Sequence, residues 1–217
     1  MDFSFTTEQD DLRREARAFL EANPSPSLDE LAELGWVGML RSGDFTFLDA
    51  AVLFEELGRV LYDGPYVRDE VGDDRQKLLA AYALEAVGIG SKATEMAIAY
   101  VSDREQFGKK IGSYQAISHP LVDAYVAVEL SRSLAYWAAW CVAEGDEQVD
   151  LAASAAKSQA AEAAVLACER SIQAHGGIGF TWEHPLHRYY KRALWLEGAL
   201  GYGREHRAGV ASSLLAS

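Results

Sequence analysis

His175-Gly176-Gly177-Ile178-Gly179-Phe180 separates two long helical patterns, and the chain parses into helices on either side of it. Three glycines in four positions allow positive φ and leave main-chain N–H groups open to close approach, as a phosphate or dinucleotide contact requires. Read alone, the six residues fit a plain helix-to-helix turn better, because glycine is the commonest residue just past a helix C-terminus. What surrounds them decides between the two readings.

Before the turn, residues 149–174 form an alanine-rich helix, and after it a helix is expected from about Pro185 to the C-terminus. Residues 76–102 read as another long helix, interrupted by Gly88 and Gly90. Each of these costs about 1 kcal/mol relative to alanine, which implies that a second backbone packs closely there. Residues 113–144 form a further long helix, with Pro120 kinking it or marking its first turn, and Gly145-Asp146 closing it. Four long helices with short connections predict an up-and-down bundle; no internal repeat and no convincing strand interrupts them.

Towards the N-terminus, Thr6-Thr7-Glu8-Gln9 has the form of a capping box and opens a helix to about Ala22, with Leu12, Ala16, Phe19 and Leu20 on one face. Asn23-Pro24-Ser25-Pro26 stops it. A short helix over 28–34, an apolar run over 35–40 too short to classify, and a helix over 45–61 follow. The densely charged stretch 68–75 is the best boundary, giving an N-terminal helical domain over 1–70 and a C-terminal helical bundle domain over 71–217. The fold class is therefore all-α.

Composition bounds the function. With 217 residues, 49% of them hydrophobic and 24% charged, the chain is long enough to bury a sizeable core. A formal net charge of −13 argues against sequence-independent nucleic-acid binding, although a few local arginines could still hold an anion. Cys141 and Cys168 lie in helical runs without metal-ligand spacing, as structural thiols in a reducing compartment would. Neither a basic and apolar leader nor a run of eighteen apolar residues is present, so a soluble, cytoplasmic protein without membrane contact is expected.

The second informative stretch is Arg104-Glu105-Gln106-Phe107-Gly108-Lys109-Lys110-Ile111-Gly112-Ser113-Tyr114-Gln115-Ala116. Taken separately, Arg104 reads as a solvated helix-end cation and Phe107 as a core residue. Together, a cation, an aromatic ring, glycines and an amide in one loop suit a flat anionic ligand: a guanidinium can hold a pyrophosphate in bidentate fashion, and Gln115 can add a directional hydrogen bond.

Tyr100 with Arg104 to Lys109, Ile111-Gly112 and Gln115-Ala116, followed by Gln173 to Thr181, resembles the C-terminal helical domain of the acyl-CoA dehydrogenase family. Both motifs match in order and spacing. Phe3-Ser4-Phe5-Thr6, Glu55-Glu56-Leu57-Gly58-Arg59 and Gly64-Pro65-Tyr66 resemble the start of that family's N-terminal helical domain, most closely in actinobacterial members, so the resemblance covers nearly the whole chain. It implies FAD as cofactor, an acyl-CoA as substrate and a role in lipid metabolism. It also implies that Arg104, Gln115, Gly176 and Gly177 hold the pyrophosphate and adenosine end of a flavin bound mainly by the neighbouring subunit, with Phe107 packing in the same site.

The chain departs from the family in two ways. Residues 66–74 lead almost directly into the bundle, leaving no room for the β-domain that normally covers the flavin ring. The positions of the proton-abstracting carboxylate, counted from the motifs, fall on Leu200, or in other members near Leu78, and neither can take a proton. Glu197 and Glu85 lie close by in sequence and could serve as a relocated base, though an ordinary surface or buried paired carboxylate fits each better. Dehydrogenation of a thioester needs a positioned base in concert with hydride transfer to flavin. A chain that keeps the dinucleotide clamp without base or flavin cover therefore reads as half of an active site, working with a longer acyl-CoA dehydrogenase subunit. A non-catalytic structural or regulatory subunit, and a self-sufficient homodimer or larger homo-oligomer, are the alternatives.

Three further groups are singled out. His184 and His187 lack companions at metal-ligand spacing, so cap and surface roles are expected of them and no metal is expected. Tyr136, Trp137 and Trp140 read as core or interface. The basic run 187–192 could face a CoA phosphate or form an ion-paired face.

Overall fold

The computed structural model describes residues 5–215; Phe3 and Ser4, which contribute to the N-terminal resemblance, lie outside the described residues. Ten α-helices and one minimal hairpin account for the described fold, which is all-α. Helix α1 (Thr7–Ala22) starts as expected, with the Thr6 hydroxyl accepting from the Gln9 N–H and the Gln9 side chain returning to the Thr6 N–H. Gln9 also donates to Asp49 of α4 (Phe47–Arg59) at 3.0 Å, so the cap ties two helices together. Ser27 with Glu30 forms a second capping box at the start of α2 (Leu28–Glu33). The unclassified apolar run holds two left-handed glycines, Gly35 and Gly38, and leads into the single turn α3 (Met39–Ser42).

After α4 the chain makes the short helix α5 (Tyr66–Val71), turns at Gly72 and enters α6 (Arg75–Asp103). No β-domain intervenes between α5 and α6. Helix α4 crosses α6 with no side chain between the two backbones: a Cβ on Gly88 would collide with the Glu55 carbonyl, and one on Gly58 with the Glu85 carbonyl. The glycines in the middle of α6 are thus the close-approach positions that their helix cost implied, and Gly90 serves the same purpose towards Val128 and Ala164.

Helices α7 (Gln115–Glu144) and α8 (Val149–His175) complete the long elements, with α8 central and packed by α6, α7, α9 and α10. Its alanines at 152, 153, 156, 160, 163, 164 and 167 are all buried, which lets neighbouring helices approach closely on several sides. Pro120 lies inside α7 within its first two turns, where few hydrogen bonds are lost. One hydrophobic cluster runs from Ala16 and Leu20 of α1 through Phe54, Tyr66, Leu84 and Val128 to Leu196, so the N-terminal helices and the bundle share a core.

Two expectations are corrected. The last helix is broken: α9 (Leu186–Gly198) and α10 (Gly203–Leu215) are separated by a turn in which Leu200 (φ +62°) and Gly201 (φ +112°) both adopt positive φ. The loop after α6 holds the only strands among the described residues, β1 (Glu105–Gln106) and β2 (Lys109–Lys110), paired Glu105 to Lys110 and Gln106 to Lys109 around Phe107-Gly108.

The α4–α6 crossing makes a stability prediction. Gly88→Ala forces a methyl group into the Glu55 carbonyl and should lower stability by about 1–3 kcal/mol. Gly209→Ala, in α10 with nothing within 4 Å of its added Cβ, should instead raise it by about 0.4–1 kcal/mol. Paired thermal or urea unfolding curves check both signs; a Gly88→Ala chain as stable as wild type contradicts the packing described.

Candidate functional site

The two motif regions come together at one end of the bundle. Arg104 caps the C-terminus of α6, its N–H donating to the Tyr100 carbonyl at 2.9 Å and its own carbonyl accepting from the Ile111 N–H at 2.9 Å. Its guanidinium is exposed and makes no ion pair or hydrogen bond among the described residues. One turn earlier, Tyr100 stacks on His175, the last residue of α8, with ring centroids 4.4 Å apart and planes 23° from parallel. The aromatic stack therefore joins the C-terminus of α6, where Arg104 sits, to the C-terminus of α8, where the glycine turn begins.

His175 is buried, and its Nδ1 lies 2.7 Å from the Ser171 carbonyl, so the imidazole also satisfies the end of its own helix. Gly176 follows with φ +63° and ψ −139°, a conformation closed to residues with a Cβ, and leads into a 3₁₀ turn over Gly176–Phe180. A Cβ built on Gly176 or Gly177 meets nothing within 4 Å, so the space before both backbones is open to a ligand. Gly179 differs from them, because its built Cβ lies 2.6 Å from the Ile172 carbonyl, and the missing side chain permits the turn to fold back on α8. Gln115 is the exposed first residue of α7, where unpaired N–H groups favour an anion.

Phe107 is not a core residue. It occupies the first position of the two-residue hairpin turn with φ +53°, followed by Gly108 at +79°, and is 94% exposed. Such turns favour Asn or Gly, and a bulky residue in this region costs about 1 kcal/mol or more. Within this chain no packing offsets that cost. A groove of about 540 Å³ between α6 and α7, lined by Ile98, Val101, Leu121, Val122 and Tyr125, opens beside the same hairpin at Lys110 and Gly112.

The residues considered for proton abstraction lie elsewhere. Leu78 is buried in α6 and Leu200 packs against the main core from the α9–α10 turn. Arg75, one turn before Leu78, donates to the Leu200 carbonyl at 3.1 Å, so the two positions face one locus. Glu85 is buried and held by Arg192 in bidentate fashion, at 2.6 and 3.1 Å. Burial pushes its carboxyl above the usual range while Arg192 pulls it back. Arg192 in turn stacks on Trp195 at 4.2 Å. Glu197 is half-buried, and its charge acts on Lys157 of α8.

Sequence reasoning missed Lys157. It is 1% exposed and forms no hydrogen bond or ion pair among the described residues. Burial brings its ammonium down to about 8, with Glu197 opposing and Arg75 adding to the shift. A lysine in the middle of an alanine-rich helix gives no sequence signal of burial. His206, also buried beside this turn, lies 3.1 Å from the Gly201 carbonyl and is held below its ordinary value by burial and by Lys157.

Among the described residues no group of three His, Cys, Asp or Glu side chains has the arrangement of a metal site. His184 acts as a helix cap, accepting from the Leu186 N–H at 3.3 Å. Cys141 and Cys168 are buried free thiols raised to about 11 and about 12 by burial, which makes them poor nucleophiles. Tyr136 is core, with Trp137 and Trp140 half-buried against it. The basic run divides between faces: Arg192 turns inward to Glu85, while Arg188 and Lys191 stay at the surface. No described helix is long and apolar enough to cross a membrane.

The chain is thus an all-α bundle with an open glycine turn, and an arginine unpaired among the described residues, at one end. Residues 78–215 match the family model of the acyl-CoA dehydrogenase C-terminal domain, and the chain belongs to the acyl-CoA dehydrogenase family. It is similar to acyl-CoA dehydrogenase FadE34 of Mycobacterium tuberculosis, with 40% identity over 145 residues, covering 65% of this chain and 20% of that protein. It is also similar to acyl-CoA dehydrogenase IpdE2 of Mycolicibacterium smegmatis, with 35% identity over 144 residues, covering 65% of this chain and 44% of that one. The chain thus spans less than half the length of these curated relatives. In fold it resembles a chain of the ChsE4–ChsE5 complex from Mycobacterium tuberculosis over the full length of both, with a TM-score of 0.82 at 19% identity.

Lys157 generates a prediction in pH. Its affinity for a proton falls on folding, so between pH 8 and the ordinary lysine value near 10.4 the unfolded chain binds more protons, and stability rises with pH across that window. The rise should be on the order of 2 kcal/mol. In Lys157→Met that contribution vanishes, and the variant is more stable than wild type at pH 7. Urea unfolding of both proteins at pH 7, 8, 9 and 10 measures the difference, and parallel profiles would contradict the assignment.

Proposed function

We propose that this chain is the incomplete subunit of a cytoplasmic, FAD-linked acyl-CoA dehydrogenase, acting in lipid metabolism with a longer partner that carries the β-domain. The partner presents the flavin, and this chain clamps its distant end. Arg104 supplies the bidentate cation for the pyrophosphate, Gly176 and Gly177 the open backbone, Gln115 a directional hydrogen bond, and Phe107 an apolar contact. The bound flavin supplies hydride acceptance from the acyl-CoA carbon.

The observation that carries the reading is the Tyr100–His175 stack, which brings Arg104 and the glycine turn to one bundle end. An exposed cation without a counter-ion in a chain of net charge −13 supports an anionic ligand there. The missing β-domain and the leucines at both base positions support a division of labour: the partner holds the base and the ring, and this chain positions. A self-sufficient homo-oligomer would need Glu85 or Glu197 as base, and Glu85 is already committed to Arg192 at 2.6 Å.

Arg104→Ala tests the clamp. Co-expressed with a β-domain-bearing acyl-CoA dehydrogenase chain with which the wild type assembles, the variant should still assemble but bind FAD roughly tenfold to a hundredfold more weakly, as expected for losing a charge-assisted contact. Flavin absorbance after gel filtration reads the result. Unchanged flavin content would favour a purely structural subunit.

A further inference from the structure

Three rings from three parts of the chain form a column behind the glycine turn. Tyr100 of α6 stacks on His175 at the end of α8, with centroids 4.4 Å apart, and His175 lies against His184 of the connection at 4.3 Å. His184 carries the column on to α9, because its Nδ1 accepts the Leu186 N–H at 3.3 Å. A backbone N–H can only donate, so this Nδ1 holds no proton. Leu186 is fully buried, and its N–H has no other acceptor among the described residues.

A proton on His184 would act in one direction through three effects. Nδ1 would change from acceptor to donor and face a second donor. A positive charge would stand at the N-terminus of a 13-residue helix, where the helix dipole opposes it. The charges acting on the ring come from His175 of α8 and His187 of α9, and neither imidazole can offset a cation. Tyr100 of α6 reaches the ring through His175, Glu183 beside it in the connection is exposed, and Lys191 of α9 is drawn over Trp182. Burial, His175 and His187 together hold His184 below its ordinary value of 6.5.

We propose that His184 is an acid-released latch: a proton on its Nδ1 removes the acceptor that holds Leu186 and frees the first turn of α9 together with the glycine turn behind it. Beyond that turn α9 stays in place, because the Tyr189 hydroxyl donates to the Arg59 carbonyl at 2.7 Å and Arg192 holds Glu85. The latch rests on contacts within this chain and is independent of the flavin clamp. The released form takes up a proton at the ordinary value, and the latched form only at lower pH. Latching is therefore complete above pH 6.5 and weakens as pH falls below it, by up to about tenfold at pH 5.5.

Hydrogen exchange of the full-length chain at pH 7.5 and 5.5, corrected for the intrinsic pH dependence of exchange and read by mass spectrometry over residues 176–188 and 189–198, tests the proposal. Wild-type exchange over 176–188 should be about three- to tenfold faster in acid, with 189–198 unchanged. His184→Asn, whose amide oxygen accepts without titrating, should be protected alike at both pH values. His184→Ala should exchange fast at both, and His187→Asn should keep the acid response. A wild type without a response over 176–188 would overturn the latch. So would a response that survives in His184→Asn or is lost in His187→Asn, or a His184→Ala chain as protected as wild type at pH 7.5.

Discussion

The α4–α6 crossing is the constraint on which the molecule depends. Gly58 and Gly88 face each other's neighbouring carbonyls, leaving no space for a methyl group on either side. That approach carries Glu55 and Glu56 into the interior, and the chain answers with two arginines and a tyrosine from other helices. Arg17 of α1 binds Glu56 at 2.7 and 3.0 Å, Arg132 of α7 binds Glu55 at 3.0 Å, and Tyr136 donates to Glu55 at 2.9 Å. Arg59 completes the set by reaching Glu95 of α6 at 2.7 and 2.8 Å. Buried carboxylates without these partners would be strongly destabilising, so the helices that supply them are fixed in register by charge as well as by packing.

This arrangement separates two regions of the bundle. Around Leu78 and Leu200 the chain is filled: both side chains are apolar, Arg75 secures the turn backbone, and Glu85 is neutralised by Arg192. At the other region, backbone and side chains are left open. Phe107 is held in a costly conformation and almost fully exposed, Arg104 lacks a counter-ion, and the space before Gly176 is empty of neighbouring atoms. Such strain and exposure are tolerated where another molecule completes the contact. The contrast supports a chain that positions a ligand without performing the chemistry.

Much of this was legible in the sequence because its signals are local. The Thr6–Gln9 capping box set the start of α1, the cost of Gly88 and Gly90 implied a close backbone approach, and the spacing of the motifs located the candidate clamp residues. What stayed hidden depends on tertiary partners. Nothing in the alanine-rich run around Lys157 marks that lysine as buried. The break at Leu200 defies prediction because a leucine, and not a glycine, takes the first left-handed position, and the Phe107-Gly108 hairpin escaped for the same reason. The Tyr100–His175 stack joins residues far apart in sequence, and only the packing of α6 against α8 places them together.

In the proposed division of labour the flavin is shared, with the ring in a longer partner and the far end in this chain. Counting FAD per chain in the purified complex, by flavin absorbance together with native mass spectrometry, tests it most directly. A shared flavin gives one FAD for each pair of unlike chains and none on this chain purified alone. One FAD on each chain, or a yellow protein when this chain is expressed by itself, would contradict it.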